Sequence, residues 1–198
     1  MSFIVSSGGG ASAVTRIYTT TLASDTASVD ITAIPQTYTN LELIVHAAGT
    51  SYVRTVGIYC IPFSGVNQSS YLVNGYQQEQ FYSGSSSPNG SILNFTSDAT
   101  AGIMPGSQSN PGPAQYLFGT TKIFLTNYSS ATSSKGWMSE SHHSGTNNAS
   151  VNTSTLFHSA AHFSQTNSVQ LGAIDRLYVY PTSGNFRTGS VFTLYGWS

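Results

Sequence analysis

The chain has 198 residues, of which only 7% are charged, and a formal net charge of -1. Its six Lys and Arg residues (Arg16, Arg54, Lys122, Lys135, Arg176 and Arg187) are scattered, which disfavours a surface that tracks nucleic-acid phosphates. A hydrophobic content of 39%, with 12 Tyr and 10 Phe, argues against disorder, and no run approaches the roughly 20 apolar residues of a membrane span. Solubility must come from Ser, Thr, Asn and Gln, and a surface this poor in charge repels other copies weakly and loses its water cheaply.

The segment "MSFIVSSGGGASA" opens the chain. Three apolar residues, Phe3, Ile4 and Val5, precede a flexible glycine run, the pattern of an arm that docks on a neighbour. It has no basic n-region and too short an apolar stretch for a signal peptide, so folding in a cytoplasm is expected. We assign residues 1–14 to this arm and 15–198 to one domain.

Short runs rich in Val, Ile, Thr, Tyr and Phe follow, parted by Gly, Ser, Asn and Pro, with no helical period; the pattern predicts an all-β antiparallel sandwich or barrel of about ten strands. "TRIYTTTL" is the first. "ASVDITAI" puts Val29, Ile31 and Ala33 on one face. "NLELIVHAA" alternates Leu41, Leu43 and Val45 with Glu42, Ile44 and His46. "VRTVGIYCI" carries Cys60, the only cysteine, expected to be a buried and inert thiol. "YLVNGYQQEQFY" contains an Asn74-Gly75 pair that could form a tight hairpin turn. From Ser83 to Ala114 the chain reads as long loops around a short strand at Ile92–Phe95. "QYLFGTTKIFLTNY" holds Gly119, a candidate bulge, and "SKGWMSES" follows. "STLFHSAAHF" fits a strand or a short helical turn; "AIDRLYVY" and "SVFTLYGW" end the sequence.

No nucleophile elbow, phosphate-binding glycine loop or zinc-protease motif occurs, and the spacing of the seven acidic residues nominates no acid pair. Glu79, a lone charge among amides and aromatics, is the most suggestive acid, though a solvated strand position explains it better. Among the five histidines, His158 and His162 would adjoin on a helix but sit about 13 Å apart on a strand. Glu140, His142 and His143 are the other cluster; a metal site wants three or four convergent ligands, which no spacing here supplies. The sequence therefore assigns no catalytic residue, no cofactor and no metal. Trp137 and Trp197 fit either a sugar-binding surface or a protein interface.

The closing "LYVYPTSGNFRTGSVFTLYGW" resembles the C-terminal hairpin of small virion structural proteins of tailed bacteriophages, in which a strand leads through a Ser-Gly-Asn-Phe loop into a final Gly-Ser-x-Phe-x-Leu-Tyr-Gly strand. "TTTLASDTASVDITAIPQTYTNLELIVHA" and "KIFLTNYSSATSSKGWMS" are similar to that family's opening and middle strands, so about half the chain is covered. The resemblance implies a jelly-roll-like β-sandwich serving as an oligomeric module on the virion. The expectation is a non-enzymatic head decoration (cement) protein, forming a homo-oligomer, a trimer by preference, on the major capsid protein. The alternative is a tail- or fibre-associated adhesin binding a host-surface glycan. In the last strand Phe192 and Leu194 are expected to fill the core, while Val191, Tyr195 and Trp197 share the other face. Trp197 stands where the family pattern has a small aliphatic residue. Phe3, Ile4, Val5, Tyr195 and Trp197 are thus the candidate assembly residues.

Overall fold

A computed structural model describes the backbone of residues 13–50, 56–63, 73–83, 90–97, 103–108, 118–133, 135–147, 151–163, 172–181 and 183–198. Side chains are described in 13–50, 118–133, 135–142, 172–181 and 183–198. These residues contain twelve strands: β1 Val14–Thr21, β2 Val29–Ile31, β3 Asn40–Ala47, β4 Val56–Phe63, β5 Val73–Ser83, β6 Gly90–Ser97, β7 Ile103–Gln108, β8 Gly119–Leu125, β9 Lys135–Asn147, β10 Val151–Phe163, β11 Arg176–Pro181 and β12 Val191–Trp197. All pairings are antiparallel.

In β2, β3, β8, β11 and β12 alternating side chains bury one face, and two sheets do the burying. One has eight strands in the order β1-β12-β3-β8-β9-β10-β5-β6, the other four in the order β2-β11-β4-β7. Setting aside β5–β6 and β9–β10, the chain changes sheet at every successive strand except from β4 to β7, which pair in the smaller sheet. The remaining quartets, β1-β12-β3-β8 and β2-β11-β4-β7, make an eight-stranded jelly roll. The two set-aside pairs are hairpins inserted into that frame. They extend the larger sheet beyond β8 and pair with each other through β10 and β5.

The core lies between the jelly-roll quartets. Leu41, Leu43 and Val45 of β3, Ile123 and Leu125 of β8, and Phe192 and Leu194 of β12 meet Val29 and Ile31 of β2 and Leu177 and Val179 of β11; all are buried. Phe192 and Leu194 thus do fill the core. The last strand also returns beside early ones, pairing with β1 and β3.

Several sequence expectations change. The closing segment is not a hairpin, because β11 and β12 lie in different sheets and the Ser-Gly-Asn-Phe loop crosses between them. Asn74-Gly75 is no turn either. β5 runs through it, and the register slips by one residue against both neighbours, so the pair forms a bulge. Gly119 begins β8 in unbroken register with Ala47 and makes no bulge. Ala33 leaves the face of Val29 and Ile31: β2 ends at Ile31, and Ala33 is exposed with a left-handed φ of 55°. "STLFHSAAHF" is strand, since pairing on both sides outweighs its Ala-rich local preference. The span read as loops holds β7 and a β6 longer than expected. Phe3, Ile4 and Val5 lie outside the described residues, as do the side chains of Cys60, Glu79, His143, His158 and His162.

Candidate interaction surface

Each end of the sandwich is tied by loop contacts. At one end the Ile-Pro turn meets the β8–β9 turn. The Tyr128 hydroxyl donates to the Pro35 carbonyl, Ser129 Oγ donates to the Tyr38 carbonyl at 2.8 Å, and Gln36 Nε2 bridges the carbonyls of Ile34 (2.8 Å) and Ile174 (2.9 Å). Burial pushes the Tyr128 phenol above its ordinary pKa, since the charged form would lose its water. In the same turn Lys135 is wholly buried. Its ammonium donates to the Ser130 carbonyl at 2.7 Å, and desolvation holds its pKa below the usual lysine value.

At the opposite end the Ser-Gly-Asn-Phe loop is stitched down on both sides. Phe186 and Thr26 exchange backbone hydrogen bonds of 2.9 Å, and Arg187 N donates to Ala48 O at 2.8 Å. Asn185 N donates to Thr50 Oγ1 at 2.8 Å, and Asp25 Oδ1 accepts from Thr188 N at 2.9 Å. The Phe186 ring is buried edge-on against Phe192, with centroids 4.9 Å apart. Gly184 (φ 69°) and Gly189 (φ 86°) supply the left-handed turns on either side. This is the physical content of the loop motif: it plugs one end of the core.

The site the sequence nominated on β12 lies on the open face of the larger sheet, at the Ile-Pro end. Tyr195 and Trp197 are half-buried there, as is Phe124 of β8, whose ring meets the Trp197 indole edge-on at 6.3 Å. Register sets Arg16, Tyr195, Glu42, Phe124 and Met138 at one level across β1, β12, β3, β8 and β9. Met138 is 56% exposed, and Ile44 is half-buried nearby on the same face of β3. Trp197 Nε1 is buried with no hydrogen-bond partner among the described residues. The arm begins at this corner too, for Val14 pairs with Trp197 and Ser198 N donates to Ala13 O at 3.3 Å. Met138 and Phe124 went unnoticed in the sequence, which placed Ile44 on this face of β3 but gave it no role; the signal for all three was an apolar residue on the polar phase of an alternating strand.

The open face of the smaller sheet differs. Arg176 and Asp30 form a bidentate ion pair (2.7 and 2.8 Å), which raises the guanidinium pKa further. Arg176 lies 5.8 Å from the Tyr178 ring centroid, and Tyr178 is tilted against Tyr180 at 5.4 Å.

No group of three His, Cys, Asp or Glu able to hold a metal occurs among the described side chains. The acids there are Asp25 in a loop lock, Asp30 in its ion pair, Asp175 just before β11, and Glu42 and Glu140 on the open face. Comparison with protein-family models, with curated proteins and with solved structures returns no match for this chain.

Proposed function

We propose that this chain is a non-enzymatic structural protein of a tailed-phage virion: a head-decorating module that assembles as a symmetric trimer on the capsid surface. The observation that carries the reading is the corner of the open face built by Tyr195, Trp197, Phe124 and Met138, where apolar groups stay half-exposed beside the root of the arm. A surface so poor in charge is cheap to desolvate, and aromatic and Met side chains with few charges are what interface centres use. The terminal-strand resemblance supplies the phage context, and the jelly-roll frame is consistent with it. In this reading the corner packs on a neighbouring copy or on the capsid protein, and the Phe3–Val5 arm reaches across to anchor it. Copy number on purified virions is the test. Hundreds of copies per particle, retained when tails are removed, is the expected result; absence from virions would end the proposal.

The Tyr178–Tyr180 pair with its guanidinium favours a second reading, a glycan-binding adhesin, because tilted tyrosine rings give sugars a stacking surface. A glycan array on the assembled protein, with Tyr178→Ala as the control, separates the two. Binding that the variant loses would move the assignment to the adhesin.

A further inference from the structure

Where the two inserted hairpins meet, one level of the larger sheet carries an unusual set of residues. Lys122 of β8 stands opposite Glu140 of β9, Glu140 opposite His158 of β10, and His158 opposite Glu79 of β5. Directly opposed positions on adjacent antiparallel strands share a face of the sheet. Glu140 is exposed, so this level belongs to the open face. Further along, the same level is occupied by Ile44, Thr193 and Thr19, residues that suit a sheet surface without special chemistry. Lys122 is the only charged residue of β8, and Glu79 the only one of β5. In a chain with 7% charged residues, register alone has aligned two carboxylates and an imidazole on three neighbouring strands.

We propose that Glu79, Glu140 and His158 form a binding site for a divalent transition cation of the zinc class. His142, two residues along β9 from Glu140 and on the same face, is a candidate fourth ligand. Imidazole nitrogen and carboxylate oxygen are ligand types this class of ion takes, and two carboxylates balance its charge. Three ligands leave a position for water or for His142. A cation here cross-links β5, from one insertion, to the β9–β10 hairpin, from the other, and so fastens the part of the sheet outside the jelly-roll core. The inference does not depend on the assembly reading above.

The full-length chain, stripped with chelator, is titrated with Zn2+ by calorimetry and with Co2+ by visible absorption, and its melting temperature is followed in both. The expected result is one ion per chain and a melting temperature that rises with Zn2+, because an ion bound only by the folded state stabilises it by mass action. His158→Gln, Glu79→Gln and Glu140→Gln should each weaken binding by roughly tenfold or more. His46→Gln, at another level of the same face and stacked on Phe118, should leave it unchanged. The proposal is overturned by a folded wild-type chain that binds neither ion, by binding that survives all three substitutions, or by an equal loss in the His46 variant.

Discussion

Gly196 is buried on the core side of β12, and the Tyr38 ring lies against its Cα so closely that an added Cβ would strike the ring carbons. The strand and the Ile-Pro turn touch there without room for a side chain. Gly196→Val should therefore destabilise the fold by about 1–3 kcal/mol, read as a lower urea midpoint with unchanged slope. Lys135 makes a different demand. Its pKa is lowered in the folded chain from the ordinary lysine value of 10.5, because burial disfavours the ammonium. Between that lowered value and 10.5 the unfolded chain binds more protons than the folded one, so stability rises with pH in this window. Lys135→Met should flatten that rise in urea unfolding followed as pH climbs toward 10. The comparison belongs below pH 10, since Tyr128, whose phenol is raised from 10.0, makes stability fall as pH climbs beyond it. An unchanged slope in the variant would mean that Lys135 is not the titrating group.

The elements gain their order from alternation, and the loops from a few anchored residues. β3, β8, β11 and β12 bury every second side chain, so their faces could be read directly from residues such as Leu41, Leu43, Phe192 and Leu194. β7, "IMPGSQ", has no such pattern and reads as loop in the sequence; it is a strand because β4 offers it a ladder. The Ser-Gly-Asn-Phe crossing owes its conformation to Phe186. Phe186→Ala should cost about 3–5 kcal/mol, as for other buried phenylalanines, and should speed hydrogen exchange at the amides of Thr26, Thr50 and Arg187. Phe124→Ala, on the half-exposed face, should cost much less. Equal losses for the two would mean that the loop is not a core plug.

For the whole molecule, the prediction concerns association. If the Trp197 corner is a contact between copies, light scattering on the purified chain should give a trimer. Met138→Glu should then shift the equilibrium toward monomer by roughly tenfold or more, since a charge would have to lose its water to be buried there. Far-UV circular dichroism and the melting temperature of the monomeric form should not change, because Met138 is exposed in the isolated chain. A wild-type monomer at high concentration would remove the self-association part of the proposal.

The sequence by itself determined the class of fold. Alternation of period two, frequent Gly, Ser and Asn breaks and the lack of helical stripes are local properties, and they left only antiparallel sheets. It also marked Tyr195 and Trp197 as partners on one face, because two residues apart on a strand always share a face. It could not say which strand lies beside which. Pairing is set by long-range hydrogen bonding and by how two apolar faces fill one core, so the crossing of β11 to β12 between sheets, the union of the two inserted hairpins and the neighbourhood of Phe124, Met138 and Trp197 appeared only in the folded chain. The same holds for Glu140, His158 and Glu79. His158 lies 18 residues from Glu140 and 79 from Glu79 in sequence, and only the ladder register brings the three to one level.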